Sequence, residues 1–381
     1  SKLKRRCFMF RVFTLIIIFL FVNAEKYTYA SNSSEELGSI DFSTSVSGTA
    51  QTHFLHGVAA LHSFWYTEAL SAFKNSISAD PQFAMGYWGI AMAHNHPLWE
   101  EQDSESAKAA LSKIKNISKL TQREQDYINA IRLLYGKGEK HTRDKTYSKA
   151  MKKIYHDYPN DLEAACFYGL SLLGVTRNTV NKLRLQVESG SIALEVFQQN
   201  PNHPCAAHYA IHAFDHPDLA RLALPSAKRY VKISPASHHA QHMPAHIFVQ
   251  LGMWPDAVKS NKNGWLTSVD WVEKKKLPRS ERDYHSLQWL HYAYLQQGLI
   301  EKAATIFDIQ QRDVETIAEL KLALTTHGFF TITDHGITDE VLHSSYRLSK
   351  DFFASSGVFD ERIIFIILSK FSTDTDKPIK I

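Results

Sequence analysis

A chain of 381 residues, 44% hydrophobic and 22% charged, is long enough for one large core or two domains, and its composition excludes a largely disordered protein. Its formal charge of +4 belongs to the first 24 residues: they hold five basic and no acidic side chains, so the remainder carries −1 and a basic nucleic-acid-binding surface is excluded. Only Cys166 and Cys205 lie beyond that leader, too few for a disulfide framework, so the fold must stand on its apolar core.

In the leader, Lys2, Lys4, Arg5, Arg6 and Arg11 precede an eleven-residue apolar run, Val12 to Val22, and a small-residue cleavage site at Val22-Asn-Ala24. This pattern predicts a signal peptide over 1–24 and a secreted, lumenal or otherwise extracytoplasmic protein. The run is short of the ~20 residues a spanning helix needs, so membrane contact is expected only through an uncleaved signal. Residues 25–49 are expected to be a flexible N-terminal segment. Asn32-Ser-Ser34 and Asn116-Ile-Ser118 match the glycosylation sequon, a weak signal because such triplets arise by chance.

From 50 to 316 the apolar residues keep a helical rhythm without sustained strand alternation, and Pro or Gly punctuates the segments. Trp65, Trp88 and Trp99 read as core. Thr121-Gln-Arg-Glu124 is a capping box that opens a helix through Tyr135, and a second helix is expected from Arg143 to Tyr158, stopping before Pro159. The stretch Asp270 to Tyr284, with Lys274-Lys-Lys276 and Pro278, is expected to be an exposed connection with a solvated charge run.

The clearest internal repeat aligns 201–234 with 235–268. Pro201/Pro235, Ala206/Ala240, His208/His242, His212/His246, Phe214/Phe248, Ala223/Ala257, Ser226/Ser260 and Lys228/Lys262 are identical across it. Histidines four apart share a helix face, and each pair recurs after 34 residues, the length of a unit built from two antiparallel helices. Stacked units would bring four imidazoles to one wall. Neutral imidazoles ligate zinc or copper, so His208, His212, His242 and His246 are the candidate metal ligands. His62, His239 and Cys205 are further candidates, and Asp215 and Asp218 are candidate acceptors that would orient the rings. Pro244 opposes a continuous helix through the second pair: a helix starting near it would hold His246, with His242 presented from the preceding turn.

On these residues the chain resembles tetratricopeptide-repeat proteins. Gly57, Ala69, Phe73 and Pro81 stand at that family's spacing, as do Gly252 with Ala257, and Gly298 with Ala303 and Phe307. The segments Leu61-His-Ser-Phe-Trp-Tyr-Thr-Glu-Ala69 and His242-Met-Pro-Ala-His-Ile247 are similar to an uncharacterised exported group of such proteins. The resemblance implies an all-α, tetratricopeptide-like helical-hairpin superhelix over 50–316. Within 317–381, Leu324-Thr-Thr-His-Gly-Phe-Phe and Ser349-Lys-Asp-Phe-Phe353 resemble the N-terminal region of isopenicillin-N-synthase-like iron and 2-oxoglutarate dioxygenases, which implies a small α/β fragment. That family holds iron on a barrel that follows this region, and no such barrel follows here, so no iron or 2-oxoglutarate site is complete. His216-Pro-Asp218 spells the family's ligand pair but lies upstream, in the helical repeat.

No Gly-x-Ser-x-Gly elbow, phosphate-binding glycine loop or His-Glu-x-x-His motif anchors another chemistry. The sequence therefore leads to an exported scaffold whose concave face carries a histidine cluster for zinc or copper, a protein or peptide partner, or both. An enzyme with three histidine ligands and an open site is one alternative. The other is a metal-free peptide-binding scaffold lined by Tyr209, Phe214, Phe248 and Trp254.

Overall fold

A computed structural model describes residues 37–176 and 179–313. The leader, Asn32 and the dioxygenase-like fragment over 317–381 lie outside the described residues. Two compact units divide the chain, the first running to Phe248 and the second beginning at Val249.

The first unit opens with the hairpin α1 (Thr49–His62) and α2 (Tyr66–Ala79), then α3 (Ala84–Ala93). A two-residue antiparallel pairing of β1 (Asn95–His96) with β2 (Glu101–Gln102) leads to α4 (Ser104–Leu111). It continues through α5 (Gln122–Leu134), α6 (Lys140–Asp157), α7 (Leu162–Gly174), α8 (Lys182–Gln199), α9 (Pro204–Ala213) and α10 (Ala220–Ile233). The short helices α11 (His238–His242) and α12 (Pro244–Gln250) follow. The fold is all-α. Successive helices from α1 to α4 and from α5 to α10 pack as neighbours, and α1 with α3, α3 with α5 and α7 with α9 pack one step further on, the stacking the repeat period implies. A contact of longer range joins them: α1 also packs against α9. That contact builds the site described below.

Sequence signals account for the helix starts. The capping box forms as expected, with the Thr121 hydroxyl accepting from the Glu124 amide and the Glu124 carboxylate accepting from the Thr121 amide at 3.0 Å. Asp161 caps α7 by accepting from the Glu163 and Ala164 amides, and Pro204 occupies the first turn of α9, where its missing N–H costs nothing. The core is aromatic: Phe42, Phe54, Phe73, Phe83, Trp88, Tyr127 and Phe167 are all buried and meet mostly at tilted or edge-on angles. Trp65 and Trp88 are core as expected, whereas Trp99 is 43% exposed, because the β turn lifts it out of the packed layer.

Phe73 reaches the backbones of both α1 and α3 because Gly57 and Gly89 have no Cβ, and a methyl at either would overlap the ring. Gly89→Ala is therefore expected to destabilise the protein by about 1–3 kcal/mol through overpacking, read as a lower denaturant midpoint at unchanged slope.

Within the N-terminal segment 25–49, residues 37–48 run as an extended strap with Leu37 and Phe42 fully buried. The Ser39 amide donates to the Asn202 carbonyl, and the Ser45 amide and hydroxyl donate to Glu124.

The second unit contains α13 (Trp254–Lys275), α14 (Tyr284–Gln296) and α15 (Ile300–Asp313) around Trp265, Tyr284, Leu287, Leu290 and Ile306. The expected connection over 270–284 is mostly helix and shrinks to 276–283. Trp265, Ser268 and Val272 continue one buried helical face, and the lysines end the helix where its dipole favours cations, with Lys276 in the left-handed region at φ 55°. Among the described residues no helix is long and apolar enough to cross a membrane.

Candidate metal centre

α9, preceded by His203 at its N-cap, carries His208 and His212 on one face. α11 is opened by the Ser237 hydroxyl, which accepts from the Ala240 amide, and carries His239 and His242. Pro244 breaks the helix at Met243 and starts α12, so His242 stands on the turn before and His246 on the helix after.

These histidines form two donor sets. In the first, the Nε2 atoms of His212 and His239 lie 3.0 Å and 3.1 Å from Nε2 of His208, with all three ligand atoms within 4.8 Å of one another. A tetrahedral zinc ion with ~2.0–2.1 Å Zn–N bonds separates its nitrogens by about 3.3–3.4 Å, so the three rings already stand near ligating distance. His208 Nδ1 lies 2.6 Å from the His62 carbonyl oxygen, an acceptor only, so Nδ1 carries the proton and Nε2 offers its lone pair to the cluster. In the second set, His242 and His246 approach through Nε2 at 3.2 Å, and His246 Nδ1 donates to Asp215 at 2.8 Å.

Burial suits these rings to ligation. His208 is fully buried, and desolvation, opposed only in part by the His62 carbonyl, pushes its pKa down to about 3. Desolvation, with the neighbouring His208, His246 and His242, holds His212 well below its ordinary value. Both rings are therefore neutral at physiological pH, the state a metal requires. His212 and His239 are partly exposed, so one side of the first set opens outward.

The other candidates fall elsewhere. His62 serves His208 through its backbone carbonyl. Its ring joins a buried network in which Nε2 donates to Glu163 at 2.6 Å and Nδ1 accepts from the Tyr209 hydroxyl at 2.8 Å, while His203 Nε2 donates to the other Glu163 oxygen at 3.0 Å. Cys205 is disulfide-bonded to Cys166 beside His203 and lies outside both histidine sets. Asp215 orients a ring as expected, whereas Asp218 is largely exposed, 3.7 Å from His216. Tyr209, Phe214 and Phe248 are buried in packing and present no groove surface.

Sequence reasoning missed Phe64. It sits in the left-handed region at φ 53°, a conformation that costs a bulky residue on the order of 1–3 kcal/mol. Its ring centroid stands 4.3 Å from His208, 5.4 Å from His212 and 5.7 Å from His239, walling the first set with apolar surface. Its signal in the sequence is position alone: it follows His62 by two residues, at the end of α1.

The chain matches the family described as "non-haem dioxygenase in morphine synthesis N-terminal" over residues 303–357. The match begins inside α15 and runs into the fragment expected over 317–381, and it does not include the histidines of the candidate centre. Among solved structures, the chain is similar to a human IFIT1 dimer with m7Gppp-AAAA at 15% identity and TM-score 0.33, over 90% of this chain and 80% of that one. It is also similar to yeast Tom70 at 12% identity and TM-score 0.15, over 83% of this chain and 92% of that one. A search of curated proteins finds no match.

Proposed function

We propose that this chain is a helical-hairpin scaffold that binds one transition-metal ion, zinc or copper, on Nε2 of His208, His212 and His239. The observation that carries the reading is the convergence of three Nε2 atoms around His208, with the His208 tautomer fixed by the His62 carbonyl. Imidazole nitrogens select zinc and copper over magnesium or calcium. Metal analysis of protein purified without a histidine tag is expected to find the ion in the wild type and to lose it in His208→Ala/His212→Ala. Equal emptiness of both after incubation with zinc and with copper would refute the reading.

A metal-dependent enzyme is the second reading, favoured by the partial exposure of His212 and His239, which leaves a coordination position on the open side. Displaceable water in the shell of the bound ion would support it. A protein or peptide partner is part of the proposal, with the exposed Trp99 indole, 6.3 Å from the His239 ring between centroids, as its contact point. The basic, apolar leader supports export, and the Cys166–Cys205 bridge fits an oxidising compartment.

A further inference from the structure

The second histidine pair repeats the construction of the first. His242 is fully buried, His246 is half-buried, and their Nε2 atoms stand 3.2 Å apart. Asp215 accepts a hydrogen bond from His246 Nδ1–H at 2.8 Å, which leaves the Nε2 lone pair facing His242, as the His62 carbonyl does for His208. The pair is a neighbour of the first set: ring centroids lie 6.3 Å apart for His212 and His246 and 6.4 Å apart for His239 and His242. It is not part of that set, whose three ligand atoms group without either ring.

We propose that His242 and His246 bind a second divalent transition-metal ion beside the first, so that the two donor sets form a two-metal centre. Asp215 is a positioning residue for His246. Two imidazoles fill only part of an ion's shell and leave positions open to further ligands, among them an oxyanion shared with the first ion, the arrangement by which paired metals polarise a bridging oxygen. This inference rests on the first ion's site and adds to it a stoichiometry and a class of small ligand, water or a carboxylate- or phosphate-type oxyanion.

Titration of the tag-free, metal-stripped full chain with cobalt(II), read by ligand-field absorption and by metal per chain after gel filtration, tests it. Two equivalents are expected for the wild type and one for His242→Ala/His246→Ala. Asp215→Asn, which keeps the shape of the side chain, is expected to weaken only the second equivalent about 10–100-fold, and provides the readout should the double variant fail to fold. One equivalent in the wild type, unchanged by Asp215→Asn, would overturn the second ion and leave the first standing. One equivalent abolished equally by His208→Ala and by His246→Ala would mean a single shared ion and would also overturn the pair. No uptake at all would sink both proposals.

Discussion

Glu163→Leu is expected to lower the folding stability by about 3–5 kcal/mol. The Glu163 carboxylate has no exposed surface and accepts from His62 on one oxygen and His203 on the other. Leucine fills the volume but leaves two buried imidazole N–H groups without an acceptor, each costing about 1–3 kcal/mol. Glu163→Gln keeps one acceptor and turns an amide N–H toward the other ring, so an intermediate loss is expected. The network also sets an acid limb. Burial pushes the Glu163 carboxyl up, but the His203 and His62 groups outweigh it and hold the pKa at about 2, below the ordinary 4.5. A carboxyl held below its unfolded value contributes stability that is complete above about pH 4.5 and is lost as pH falls toward 2. The shift corresponds to about 3 kcal/mol. Urea midpoints at pH 6 and at pH 3 check this: the wild type should lose much of that contribution between them, and Glu163→Gln should lose less. Equal acid sensitivity in both proteins would show that Glu163 does not carry the limb.

Removing the disulfide with Cys166→Ala/Cys205→Ala is expected to cost about 4 kcal/mol, the loop-entropy value for a closure of this length. The bridge spans a sequence separation of 39 and ties α7 to the first turn of α9, next to His203. Both cysteines are buried, so a reductant should act on the native protein slowly and should lower the denaturation midpoint of the wild type only. The double variant should show the same midpoint with and without reductant. A wild-type midpoint indifferent to full reduction would remove the bridge from the account of stability.

Local chemistry was readable in the sequence. The capping box at Thr121, the helix start at Pro204 and the interruption at Pro244 follow from side-chain hydrogen bonding and proline sterics within a few residues, and all three appear where those rules place them. The 34-residue period also gave the stacking of hairpins, because equivalent apolar positions recur with it. Four histidines at equivalent positions suggested one four-ligand wall, and the structure groups them in two sets, His208 and His212 with His239, and His242 with His246. Repeat equivalence matches His239 with Cys205, and chain position alone does not show that the first bonds toward His208 while the second bonds to Cys166. The Glu163 network and the His62 carbonyl were illegible for the same reason. Each joins groups more than 100 residues apart except His203 with Glu163, at 40. At Asp270 to Lys275, charge and a nearby proline outweighed the buried spacing of Trp265, Ser268 and Val272, which keeps the segment helical.

The strap over 37–48 bears on the order in which the first unit assembles. Ser39 needs the Asn202 carbonyl, Asn200 in turn donates to Ser39, and the Leu37 carbonyl accepts from Ser234, almost 200 residues downstream. A chain made from its N-terminus therefore emerges with this segment first but fixes its Leu37–Ser39 end among the last, after α10 exists to receive it. Until then the Leu37 end has no anchor, whereas Phe42 can already pack against Phe54, Trp88 and Tyr127. Truncation before Ser234 should consequently yield helices without a closed unit, since loop closure over such distances is repaid only when the far partner is in place.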